Sequence, residues 1–89
     1  MKAVLVTTLH RGVFFGFVDP DKVTEKTLVL ERCKCCIYWS ASVRGFLGLA
    51  ATGPDCNCKI GAEAPKVIVH DVTSVTDVSE KAVEAWSLM

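Results

Sequence analysis

The chain has 89 residues, 51% of them hydrophobic, with ten Lys and Arg balancing ten Asp and Glu for a formal net charge of zero. That length makes one domain, residues 1–89, whose stability on the usual per-residue scale is only about 4 to 13 kcal/mol. The even charge, with no block of one sign, excludes the basic stripe by which proteins hold nucleic-acid polymers through their phosphates. No apolar run reaches membrane-spanning length, and Met1–Thr8 is too short for a signal peptide.

A mean hydropathy of +0.36 is high for so small a chain. A domain of this size has difficulty hiding that much apolar surface, so a homo-oligomer joined at exposed sheet edges is expected. Five cysteines without a secretion signal imply reduced thiols in a cytoplasm, and the odd count argues against a closed disulfide framework.

Taken in order, Ala3–Thr8 and Val13–Val18 read as two strands, and Leu9-His10-Arg11-Gly12 as the tip of their hairpin. Gly16, between Phe15 and Phe17, suggests a bulge or a close backbone approach. Asp19-Pro20-Asp21 is a turn by composition, and Lys22–Lys26 a polar excursion. Thr27–Leu30 resumes as a strand, with Glu31–Lys34 leading on. Cys35-Cys36-Ile37-Tyr38-Trp39-Ser40 then has the composition of a central strand, able to be core for most of its length and a ligand platform at its end.

Ser40–Ser42 and Val43–Gly45 read as turns. Phe46–Ala51 is too short for periodicity to separate helix from strand. From Thr52 to Gly61 the residues read as loop, with Pro65 at its far end. Lys66–Val78 is the longest strand signal, but Val69 and Val75 share a parity that Val72 breaks, which calls for an interruption near His70-Asp71. Ser79 is placed to cap a closing helix with Ala82, Val83 and Trp86 on one face. The fold class expected is mainly β: a small antiparallel sheet or partly open barrel with one short C-terminal helix.

Cys33, Cys35, Cys36, Cys56 and Cys58 invite a zinc reading, yet single-residue spacings such as Cys33-x-Cys35 make poor knuckles, and buried structural thiols are the favoured alternative. No metal or other cofactor is assigned. The two histidines accompany no recognisable nucleophile, so no catalytic residue is assigned and the chain is read as non-enzymatic.

The candidate binding residues are His10 and Arg11 at the hairpin tip, Tyr38 and Trp39 as stacking faces, Arg44 beside Gly45 as an anion clamp, and Asn57 as a hydrogen-bonding group. Against each stands a plainer reading: loop tips are polar because they are wet, and aromatics on strands pack into cores.

Along nearly its whole length the chain resembles a family of small uncharacterised proteins encoded by bacteriophages and prophages. The resemblance rests on His10-Arg11-Gly12-Val13-Phe14-Phe15-Gly16, Ile37-Tyr38-Trp39-Ser40, Gly45-Phe46-Leu47-Gly48-Leu49-Ala50 with Gly53-Pro54, Lys59-Ile60-Gly61, Val72–Val78 and Ala85-Trp86. Cys33, Cys35, Cys56 and Cys58 depart from it. By analogy with compact phage proteins that soak up immune signals, the expected function is sequestration of a small anionic, nucleotide-like ligand, such as a cyclic nucleotide or an ADP-ribose derivative, in the cytoplasm of a bacterial host. The alternatives are a structural or protein-interaction module, marked by an apolar surface of Phe46, Leu47 and Leu49, and a small zinc-binding domain.

Overall fold

The computed structural model describes residues 1–9, 12–22 and 26–89. Its strands are β1 (Lys2–Thr8), β2 (Val13–Val18), β3 (Leu28–Tyr38), β4 (Lys59–Ile60), β5 (Ala64–Val69) and β6 (Val72–Asp77), with helices α1 (Gly45–Ala51) and α2 (Glu80–Ser87). All the pairings are antiparallel. The sheet runs β4-β3-β2-β1-β6, and β5 joins β3 on the same side as β4.

The expected class is therefore observed, as a six-stranded antiparallel sheet that is not closed into a barrel. The undecided stretch Phe46–Ala51 proves helical, adding a second helix to the closing one. Among the described residues no helix is long and apolar enough to cross a membrane.

Leu28–Leu30 and Cys35–Tyr38 belong to one continuous strand, β3, rather than to two, and Thr27, Trp39 and Ser40 lie just outside it. Continuity depends on Arg32, which sits at φ 50°. Phe15 pairs with Lys34 and Phe17 with Glu31, so β3 carries one residue more than β2 across this interval. The bulge expected near Gly16 thus lies in the strand opposite, and the glycine is what admits it. A Cβ on Gly16 would stand 3.0 Å from Leu30 Cβ and 3.3 Å from the Glu31 carbonyl oxygen.

An extra residue reverses side-chain parity. Leu28, Leu30 and then Cys33 accordingly fall on one face, whereas Val29, Glu31, Lys34 and Cys36 fall on the other. The first face is buried without any helix over it. Val4, Val6, Val18, Leu28, Leu30, Cys33 and Val69 form a small core made of strand residues alone. Curling of the sheet explains this: β5 and β6 lie at opposite edges yet are linked by only His70 and Asp71. Such a link spans at most about 11 Å. Asp71 takes φ 56°, its carbonyl accepts from Leu9 N at 2.9 Å, and Val72 N donates to the Lys26 carbonyl at 3.0 Å. The interruption expected at His70-Asp71 is present, and a second register shift at Thr7/Thr8 lets Val72 and Val75 pack towards the same core.

The other face carries both helices. Ser79 caps α2 by accepting from Ala82 N at 3.1 Å, and Ala82 and Trp86 point inward as expected. Trp86 is 0% exposed. Its ring stacks on Phe15 at 4.8 Å between centroids and 4° between planes, while its Nε1 donates to the Leu49 carbonyl of α1 at 3.1 Å. Lys34, buried on β3, donates from Nζ to the Trp86 carbonyl at 2.8 Å. That carbonyl, which also accepts from Met89 N at 3.2 Å, lies in the last turn of α2, where a cation is favoured.

Trp86→Ala removes the stacked ring and the bond to α1 together. It should cost about 3 to 5 kcal/mol, read from denaturant midpoints, with Phe15→Ala giving a smaller loss.

Candidate functional site

Past the end of β3 the chain makes a 3₁₀ turn, Ala41–Val43, before α1 begins. Arg44, between the two, adopts the left-handed conformation at φ 67°, ψ 40°, followed by Gly45 at φ 83°. Two successive positive φ angles fold α1 back against the turn that precedes it. Gly48 makes the fit possible, because a Cβ there would overlap the Val43 carbonyl oxygen. The glycine that obscured the reading of Phe46–Ala51 is a packing requirement.

The loop after α1 is fastened to this turn by one carboxylate. Asp55 accepts from Ser40 Oγ at 3.1 Å, from Ser42 Oγ, from Asn57 N at 2.9 Å and from Cys58 Sγ at 3.5 Å. These donors, Ser42 and the Asn57 amide foremost, hold its carboxyl below the usual 3.8. In the sequence alone Asp55 reads only as part of a loop. The signal was there in Asp55-Cys56-Asn57, since an aspartate commonly bonds the backbone amide two residues on; the partnership with Ser40 and Ser42 is tertiary.

Around this clamp lie four of the six predicted binding residues. Tyr38, the last residue of β3, is 54% exposed and pairs in register with Lys59 of β4. Trp39 is half-buried against the helix-side core. Asn57 is exposed, held by the Asp55 turn. Arg44 is exposed and lines an open groove of about 400 Å³ with Ser42, Val43, Leu47, Gly48 and Thr52. Among the described residues its guanidinium has no ion-pair or hydrogen-bond partner. Tyr38, Trp39 and Asn57 sit on the same loops but do not line that groove. His10 and Arg11 lie outside the described residues.

The thiols divide between the two cores. Cys33 is buried in the strand-only core, Cys36 and Cys58 in the helix-side one, and Cys56 is exposed. Burial pushes the Cys33 and Cys36 thiols up to about 11. Among the described residues no three His, Cys, Asp or Glu side chains are gathered to hold a metal ion. The stretch read as loop through Gly61 also contains β4, whose Lys59 and Ile60 pair with the end of β3.

The depressed carboxyl of Asp55 stabilises the fold above its ordinary value of 3.8, and the contribution disappears as pH falls from there through the lower folded-state value. Thermal midpoints measured across that acid range should drop more steeply for the wild type than for Asp55→Asn. Gly48→Ala should destabilise by about 1 to 3 kcal/mol through overpacking, seen as a lower urea midpoint.

No curated protein and no solved structure matches the chain. A family model described as a domain of unknown function, DUF6948, matches residues 1–86. With nearly every residue of the sheet and both helices inside that match, the chain belongs to the DUF6948 family.

Proposed function

We propose that this protein is a non-enzymatic binding protein that sequesters a small anionic, nucleotide-like ligand. The observation that carries the reading is Arg44, whose guanidinium has no partner among the described residues and lies in a groove that also offers the hydroxyl-bearing residues Ser42 and Thr52 and the apolar Val43 and Leu47. A volume of about 400 Å³ lies within the range of small-molecule sites, which combine an apolar lining with a few polar groups. Guanidinium suits phosphate because its planar fork donates two parallel hydrogen bonds.

In this reading Arg44 neutralises the phosphate, and Tyr38, open to solvent beyond the Asp55 clamp, offers a face for the base. Asn57 supplies a hydrogen bond at the same end of the sheet, with His10 and Arg11 as further candidates and Trp39 mostly given over to packing. The finer proposal is a phage-encoded sponge acting in the cytoplasm of its bacterial host, with a cyclic-nucleotide or ADP-ribose-derived immune signal as the ligand.

The competing interaction module called for an apolar surface of Phe46, Leu47 and Leu49. Leu49 is fully buried and Phe46 half-buried, which leaves Leu47 exposed from that set, beside an arginine.

Purified protein titrated with cyclic dinucleotides and cyclic ADP-ribose isomers should bind one class with measurable heat. At a hundredfold excess over the dissociation constant the fold should gain about 2.7 kcal/mol, and Arg44→Ala should lose most of that gain while melting like the wild type without ligand. A flat response across the panel removes the reading.

A further inference from the structure

A side-chain hydroxyl can donate one hydrogen bond and accept two, and what it offers a ligand depends on where the protein has sent its proton. In the Arg44 groove both hydroxyl protons are already placed. Ser42 Oγ donates to the Asp55 carboxylate, and Thr52 Oγ1 donates to the Gly48 carbonyl at 3.0 Å. Neither bond can run the other way: a carbonyl only accepts, and the Asp55 carboxyl, held below its usual 3.8, is an ionised acceptor at neutral pH. Ser42 and Thr52 are nonetheless exposed and line the groove, so what each has left for a ligand is a lone pair rather than a proton.

Three backbone amides of the same lining are spent as well. Those of Val43, Arg44 and Thr52 donate to the carbonyls of Ser40, Ala41 and Gly48 at 3.2, 3.1 and 2.9 Å. Among the described side chains that line the groove, the Arg44 guanidinium is therefore the one free donor, and it is also the one charge. An anionic group has a single side chain to sit against, where the planar fork gives two parallel bonds. Ser42 and Thr52 suit the opposite partner. A phosphate oxygen brought against either hydroxyl sets lone pair against lone pair, whereas a hydroxyl or amine of the ligand donates to it.

We propose that the groove selects a phosphate ester whose own hydroxyls flank one anionic group, which in a nucleotide is a ribose phosphate, and that Ser42 and Thr52 are its specificity-determining residues. Arg44 holds the anion, and the ribose hydroxyls beside it donate to Ser42 Oγ and Thr52 Oγ1. This selectivity rests on the groove being the nucleotide site proposed above. It adds a distinction between ribose and deoxyribose, and between a phosphate ester and free phosphate. Losing one neutral hydrogen bond changes an affinity by about 2- to 12-fold, so the preference is one of degree.

Calorimetric titration of the full chain with matched ligand pairs tests the proposal: cyclic AMP, cyclic di-AMP and cyclic di-GMP, each against its deoxyribose counterpart, with inorganic phosphate as the anion alone. A ribose form should bind more tightly than its deoxyribose counterpart by about the factor given for one hydrogen bond, and inorganic phosphate more weakly than either. Thr52→Val, which keeps the side-chain shape, and Ser42→Ala should each narrow that ratio. The comparison of ligands on the wild type serves even if Ser42→Ala disturbs the Asp55 clamp. Ribose and deoxyribose forms bound equally, with Arg44→Ala still abolishing binding, overturn the selectivity and leave the nucleotide site standing. A ratio that neither substitution moves overturns it too, because the ribose is then recognised elsewhere. Binding of none of these compounds overturns both.

Discussion

The structure depends on one indole. Trp86 brings together three parts of the chain that are distant in sequence: its ring lies flat on Phe15 of β2, its Nε1 holds the Leu49 carbonyl of α1, and its own carbonyl receives the Lys34 amine from β3. A domain of this size has few ways to bury apolar area, and a tryptophan buries more of it than any other side chain. The polar groups of the same residue are satisfied in the act of burial, so the gain is not offset by an unpaired N–H or carbonyl. Both helices are thereby tied to the sheet through one residue, and α1 in turn determines where the turn carrying Arg44 can lie.

The second constraint is the bulge at Arg32. A regular strand from Leu28 to Tyr38 would keep Leu28, Leu30, Lys34 and Cys36 on one face and would thrust a lysine into the strand-only core. The added residue reverses the alternation, so that Leu28 and Leu30 stay in that core while Lys34 turns to meet the end of α2. Gly16 opposite has no side chain to oppose the close approach of the bulged backbone. The displaced Arg32 guanidinium settles 4.0 Å from the centre of the Phe17 ring, a favourable cation–π contact at a partly exposed aromatic.

Function is proposed at the end of the sheet where hydrogen bonds add to the apolar packing of Val43 and Cys58. The Asp55 carboxylate gathers two serine hydroxyls, a backbone amide and a thiol, and so joins the turn before α1 to the loop after it. Tyr38, Arg44 and Asn57 project from the segments so joined. A site of this kind is pre-ordered by local polar bonds while its outward-facing groups stay free for a ligand.

Much of the architecture was legible in the residues themselves. Composition and alternation located β1, β2, β5, β6 and, in two pieces, β3; the capping serine and the 3.6-residue spacing located α2, and the parity break among Val69, Val72 and Val75 located the link at His70-Asp71. Each of these is a property of neighbouring residues, expressed by the backbone wherever the segment lies. What tertiary structure alone decided is long-range. Phe46–Ala51 is helical because it packs on Trp86 and folds back on Val43, Lys59–Ile60 is a strand because the end of β3 offers it a partner, and Leu28–Tyr38 is one strand because a glycine in another strand admits its bulge. Asp55 and Lys34 look unremarkable in sequence, since the groups that give them their roles lie on other elements, brought close only by the folded chain.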